Sequence, residues 1–279
     1  MGQKRKLLTK EVLLFAGVIL PLFLLFLWRQ FYGFNKNDEI FYISTVYRFF
    51  QGDGMLTDEW NNVQLFAFVT YPLYALARLF CHGNEGIVLT FRIFYLVFQM
   101  LAAGYCFVRM KRFGWIRILP ALFYFVTTPY NINSLNYNTL AFGFVLLTFV
   151  TLSCPEKLRF YDFFLCGLFT AGAVLANPYA IFLFIIYGVL CFGTAFFYLR
   201  RWDQSPEELR LKNFIVMGTG AFLILVLFLI FVFMRSSLHE ILECMTYIVM
   251  DTERQKSFLE KLARYFIRIH RYYRVQVYM

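Results

Sequence analysis

The chain has 279 residues, of which 60% are hydrophobic and only 16% charged, against about a quarter charged in a soluble domain. A globule of this size has too little interior to hide that much apolar surface, so the composition excludes an ordinary soluble domain and calls for lipid. The net charge of +10 falls in short patches between apolar runs. That is the pattern of topology signals and anionic-lipid contacts, not of a nucleic-acid-binding face.

In chain order, Lys4, Arg5, Lys6 and Lys10 precede an apolar run from Val12 to about Phe31. At 1.5 Å per residue the run reaches about 30 Å, enough to cross a bilayer and too long for a signal-peptide core. It is predicted to be an uncleaved anchor with a cytoplasmic N-terminus. Asn35 to Glu39 then form a polar start to an amphipathic helix. Ile40, Ile43, Tyr47 and Phe50 share its apolar face, Asp38 sits in its first turn, and Gly52, Asp53 and Gly54 end it. A second polar cluster follows, from Asp58 to Gln64.

Further apolar runs lie at about 63–80, 86–108, 115–130, 139–154, 160–176, 180–199 and 213–234. Three basic clusters separate them: Arg109 to Arg117, Lys157 with Arg159, and Arg200 to Lys212. The positive-inside tendency places all three with the N-terminus. That requires the run at 63–80, which contains Pro72 and Arg78, to lie in the outer interface. The expected fold is therefore all-α and integral to the membrane, with about seven transmembrane helices whose interiors read as almost wholly apolar. Residues 32–86 form an outer loop carrying interfacial helices. Residues 1–234 make the membrane module. Residues 235–279 begin a second outer loop, a basic amphipathic segment with Lys261, Arg264, Arg268 and Arg271 on one stripe. The six cysteines read as small apolar residues, with a Cys81–Cys244 bridge left open on the outer side.

The leading candidate for chemistry is Asp38 with Glu39. A carboxylate at the water–lipid boundary can accept a proton from an incoming hydroxyl; the plainer role is a cap and a partner for the helix dipole. Arg92 lies inside an apolar run, where insertion costs about 2.5–3.5 kcal/mol, so it calls for a partner or a function beyond snorkelling.

The stretches NDEIFYISTVYRFFQGDG, DEWNNVQ, YPLYALARLF and GIVLTFRIFYLV resemble the start of membrane glycosyltransferases of the GT-C fold. The nearest group is family 39, the protein mannosyltransferases and aminoarabinose transferases. The likeness spans roughly residues 10–200. It lies in order and spacing: the pair Asp38–Glu39, the segment Tyr71-Pro72-Leu73-Tyr74, Arg92, and Gly167 leading to Asn177-Pro178. Thr70 and Tyr71 stand where relatives often carry a lysine. Relatives also continue with more spans, so the resemblance implies a seven-span N-terminal part, completed by a longer protein or a partner subunit.

The resemblance implies transfer of a sugar from a polyprenyl-phosphate carrier to a lipid, glycan or protein acceptor on the outer face. Asp38 would be the base and Glu39 its assistant. Arg92, Arg264 and Arg268 would meet the phosphate. Trp60 would stack on the sugar and Gln64 hydrogen-bond to it. Asn136, Asn138 and Asn177 would complete the binding surface. Each has a plainer role as an anchor, a cap or a lipid contact. The rival function is a non-catalytic membrane accessory or scaffold, with a transporter third. His82, His239 and His270 lack ligand spacing, and no phosphate-binding glycine loop occurs, so neither a metal nor another cofactor is expected. No eukaryotic retention signal appears, which suggests a bacterial plasma membrane and its cell envelope.

Overall fold

Apolar runs become helices throughout the computed structural model, which describes residues 2–33, 38–59, 61, 63–81, 83–155, 157–197, 206–249, 260, 263, 264, 266 and 267. The described residues contain no strand. Ten α-helices are described: α1 Gly2–Arg29, α2 Asp38–Gln51, α3 Phe66–Phe80, α4 Ile87–Arg109, α5 Ile118–Val126, α6 Tyr137–Ser153, α7 Phe160–Ala176, α8 Ile181–Phe197, α9 Leu211–Phe233 and α10 Leu238–Val249.

Four helical segments are long and apolar enough to cross a membrane: Lys10–Arg29, Ile87–Arg109, Pro178–Phe197 and Leu211–Phe233, of 20, 23, 20 and 23 residues. They rise about 30–35 Å, which matches a hydrocarbon core. Their outward faces carry large exposed side chains, among them Leu24, Leu101, Val189, Phe192 and Phe222, a surface that water would not tolerate. The chain is an all-α membrane protein. The helices α3, α6 and α7 are apolar but shorter, at 15, 17 and 17 residues.

The expected span at 115–130 is not a single helix. Gly114, with φ 55° and ψ −133°, breaks the chain inside the 3-10 segment Lys111–Arg117. At the other end, Thr128 is extended ahead of Pro129, as the proline ring requires of its predecessor. Only the nine residues of α5 remain helical, a rise of about 14 Å. The face expected for α2 is also shifted. Glu39, Tyr42, Ile43, Val46 and Phe49 point inward, while Ile40 is exposed and Thr45 is buried with its hydroxyl on the Phe41 carbonyl at 3.1 Å.

Close backbone contact holds α7 against α9. A Cβ placed on Gly167 would strike the Met217 carbonyl oxygen and sit 2.9 Å from the Ala221 nitrogen, and one on Gly220 would strike the Phe164 carbonyl oxygen. Helices in lipid gain little from the hydrophobic effect, so small residues that allow backbones to touch are how they associate. Elsewhere rings do the packing: Phe15 stacks on Phe107 at 4.2 Å between α1 and α4, and Phe68 meets Phe228 at 5.5 Å between α3 and α9.

Charge gathers at the two ends of the bundle. At the end where α4 finishes, Arg117 Nη2 donates to Glu11 Oε2 at 2.5 Å, and the guanidinium lies 4.0 Å from the Phe107 ring centroid. Nearby, Arg109 Nη2 lies 2.8 Å from Asp162 Oδ1. Arg117 is buried, and the acids paired with these arginines, Glu11 and Asp162, are buried too, at the ends of apolar stretches rather than within them. At the opposite end, Arg235 follows α9 and reaches over α2. It donates to the Phe49 carbonyl, and to the Asp53 carbonyl at 3.4 Å. All six cysteines are free, so no Cys81–Cys244 bridge forms.

Candidate functional site at the start of helix α2

The site is built where α1 ends, α2 begins and α4 passes both. Glu39, second in α2, is buried with its side chain 1% exposed, and it faces Arg92 in the second turn of α4. Arg92 Nε donates to Glu39 Oε1 and Nη2 to Oε2, both at 2.6 Å. The same guanidinium donates to the carbonyls of Gln30 at 2.8 Å and Gly33 at 2.9 Å, at the end of α1. One arginine therefore ties three segments together by a two-pronged ion pair, the strongest form of charge-assisted hydrogen bond. Gly33 turns the chain there with φ +79°, a conformation that favours glycine.

Beside this pair lies a polar cavity of about 160 Å³, lined by Arg29, Gln30, Tyr32, Gly33, Glu39, Arg92, Asn131 and Asn133. Two guanidinium groups against one carboxylate give the lining a formal +1. Arg29 is exposed, and its Nη2 donates to Asn131 Oδ1 at 3.2 Å. Tyr130 and Asn131 hold φ of 55° and 57°, the left-handed region that residues other than glycine seldom occupy. Such strain persists where the surroundings fix it, often at a functional site. Here Tyr42 of α2 supports the turn's flank, 5.4 Å from the Tyr137 ring. Burial, and after it the neighbouring Tyr137, hold the Tyr42 phenol above its ordinary pKa.

Asp38 precedes Glu39 and takes a different place. It is exposed, does not line the cavity, and makes no hydrogen bond or ion pair to a described residue. The acidic pair thus divides into one buried, fully engaged carboxylate and one open to solvent.

The other expected site residues scatter. Gln64 is buried and organises its own loop: its Oε1 accepts from the Leu56 N–H at 2.8 Å, and its Nε2 donates to the carbonyls of Glu59 and Asn61 at 2.6 and 3.0 Å. Asn136 is the N-cap of α6. Its Oδ1 accepts from the N–H groups of Asn138 and Thr139 at 2.9 and 3.1 Å, and its Nδ2 donates to the Ser134 carbonyl at 3.0 Å. Asn138 enters through that backbone contact. Asn177 Oδ1 accepts from the Tyr179 N–H at 3.2 Å and caps the turn before α8. Arg264 is exposed and pairs with Glu260 one turn earlier at 2.8 Å. Trp60 and Arg268 lie outside the described residues.

No protein-family model, curated protein or solved structure matches this chain. Function is therefore read from geometry. Sequence reasoning paired neither Glu39 with Arg92 nor Arg29 with the asparagines. The available signal was Arg29 at the end of the first apolar run, facing the uncharged stretch that holds Asn131 and Asn133.

Proposed function

We propose that the chain is the N-terminal module of a membrane glycosyltransferase of the GT-C type, one that takes a sugar from a polyprenyl-phosphate carrier. The observation that carries this reading is the exposed Asp38 beside the buried Glu39–Arg92 pair, next to a cavity with a net positive lining. In the proposed reaction an acceptor hydroxyl oxygen bonds to the sugar's anomeric carbon and the carbon–oxygen bond to the carrier phosphate breaks. The hydroxyl proton passes to the Asp38 carboxylate. The phosphate leaves with the bonding electron pair, and its charge is met by a cation.

The geometry redistributes the roles of the neighbouring residues. Arg92 spends donors on Glu39, Gln30 and Gly33, so it positions α2, and exposed Arg29 is the group that meets phosphate. Glu39 is a positioning residue, fixing the helix turn from which Asp38 projects. A prenyl chain needs an apolar bed. Two apolar cavities, of about 240 and 320 Å³, share Thr170 and Phe184 between α7, α8 and α9.

In this reading the N-terminus is cytoplasmic and α2 lies on the outer face. The helices α5, α6 and α7, with their connecting turns, complete seven crossings. In this reading α3 stays with the outer elements, where Tyr71 meets Phe50 of α2 at 6.0 Å and accepts from Arg235 at 3.4 Å.

The test is sugar transfer in membranes by the complete protein with Asp38→Asn, alongside Arg29→Ala. Asp38→Asn is expected to lower the rate about 10²–10⁴-fold with little change in folding, because Asp38 is exposed and makes no hydrogen bond or ion pair to a described residue. Full activity in Asp38→Asn would end the proposal. A second reading, a non-catalytic accessory or scaffold protein, is favoured by the internal hydrogen bonds that occupy Gln64, Asn136 and Asn177. It expects both variants to keep every function of the protein.

A further inference from the structure

At the opposite end of the bundle from Asp38, α4 finishes beside the turn between α6 and α7. A cavity of about 390 Å³ opens there, lined by five cations, Arg109, Lys111, Arg112, Lys157 and Arg159, and by the carboxylate of Asp162. The formal sum is +5 − 1, or +4. The one acid among the described lining residues is already engaged: Asp162 Oδ1 lies 2.8 Å from Arg109 Nη2, and its Oδ2 accepts from the Arg159 N–H at 2.8 Å.

The cations differ in how far they are committed. Arg109 is half-buried and donates to the Thr151 carbonyl at 3.2 Å, and Arg112 donates to the Ser153 carbonyl at 2.6 Å. Lys111 and Lys157 are exposed and make no hydrogen bond or ion pair to a described residue. Among the described residues the guanidinium of Arg159 meets the Tyr161 ring, 5.8 Å from its centroid. Packing like charges this closely costs free energy unless an anion is present. The surroundings say where that anion lies. Exposed Tyr161 lines the cavity, a residue type that settles at the membrane–water boundary, and exposed Phe113 lies 4.7 Å from the Arg112 guanidinium. The cavity is also the end of one apolar helix long enough to cross a membrane.

We propose that this cavity binds a phosphate group at the membrane surface, that of an anionic phospholipid headgroup. Arg109 and Arg112 form its fixed floor, and Lys111, Lys157 and Arg159 close on the phosphate from the open side. The site does not rest on the glycosyltransferase reading, since it shares no residue with the Asp38 region.

The experiment titrates the full chain in dodecylmaltoside micelles with dioleoylphosphatidylglycerol, with dioleoylphosphatidylcholine as the neutral-headgroup control and sodium pyrophosphate as the soluble phosphate. Bound lipid is counted by native mass spectrometry. The variants are Lys111→Ala/Lys157→Ala and, separately, Arg159→Gln, whose main-chain N–H still serves Asp162. Lys212→Ala removes an exposed cation that does not line the cavity. Each basic group near an anionic surface contributes about fivefold in affinity. The double variant is expected to lose phosphatidylglycerol affinity roughly twentyfold and Arg159→Gln about fivefold, with Lys212→Ala unchanged and pyrophosphate without effect. If pyrophosphate binds with the same dependence on Lys111 and Lys157, the phosphate site stands and its source is soluble. Equal loss in the Lys212 variant, or no loss in the cavity variants, would overturn the proposal.

Discussion

Replacing Glu39 by Gln tests what holds the candidate site together. The wild-type carboxylate is 1% exposed and receives two hydrogen bonds of 2.6 Å from Arg92, itself 9% exposed at the side chain. The amide keeps the volume and removes the charge, so the guanidinium stays buried without its counter-ion. Breaking a buried pair from one side costs about 3–5 kcal/mol, or roughly two to three and a half orders of magnitude in the unfolding equilibrium at 1.4 kcal/mol per decade. Glu39→Leu/Arg92→Met removes both charges and is expected to recover most of that loss, because an apolar pair of similar size is often as stable as a buried ion pair. The assay is a double-mutant cycle on unfolding in mixed micelles. A coupling free energy under about 1 kcal/mol, the range of exposed pairs, would show that Glu39 and Arg92 are solvated and that the start of α2 is not fixed by them.

Three further outcomes follow from separate contacts. Gly167→Leu is expected to destabilise the protein by about 1–3 kcal/mol or more, because the added atoms meet the backbone of Met217 and Ala221; reversible unfolding measures it, and a neutral result would refute the close α7–α9 crossing. Asn136→Ala removes the cap of α6 and should cost about 0.5–2 kcal/mol of stability while leaving sugar transfer unchanged, whereas a selective loss of transfer would restore Asn136 to the binding surface. At the start of α10, the Glu240 carboxylate accepts from the Ser237 N–H at 2.7 Å and its hydroxyl at 2.8 Å, and the backbone bond foremost holds its pKa below the ordinary value. A depressed folded pKa gives stability that is present above the unfolded value and lost as pH falls through the folded one, so the amide-exchange protection factors at the start of α10 should fall in acid, and Glu240→Gln should abolish that dependence.

Much of the helical layout was legible because it rests on local signals. Val12 to Trp28 reads as apolar, and α1 runs through it to end at Arg29. Gly52 reads as a stop, and α2 ends at Gln51 with Gly52 at φ +119°. What failed depends on contacts that local sequence does not encode. The run at 115–130 counts as one span by hydropathy, yet Gly114 and Pro129 act on dihedral angles and leave nine helical residues. Ile40 looks inward by periodicity, but Arg92 draws Glu39 inside and turns the helix by a fraction of a turn. The Arg117–Glu11 pair was not legible, because its partners lie 106 residues apart. At the site, Asp38, Glu39 and Arg92 stood out as charges next to or within apolar sequence. Gln64, Asn136 and Asn177 stood out by type and position alone, and each serves its own loop or helix end.

The two ends of α2 explain why an interfacial helix can hold chemistry at all. An amphipathic helix resting on lipid is positioned only by the area of its apolar face, which leaves it free to slide and roll. Here Arg92, from α4, grips the first turn through Glu39 while also binding the end of α1. Arg235, after α9, grips the last turn through the Phe49 carbonyl. Charges in a low-dielectric setting give little net stability but strong dependence on geometry, since any displacement exposes an unpaired ion. The buried Glu39–Arg92 pair is such a contact, and exposed Arg235 adds a hydrogen bond to the chain about three helical turns further along α2. A base must hold its oxygen within about an ångström of the productive position for proximity to contribute to rate. Arg92, which the sequence offers as a phosphate contact, supplies that constraint on α2 in the structure, and under the proposed function exposed Asp38 is the carboxylate that uses it.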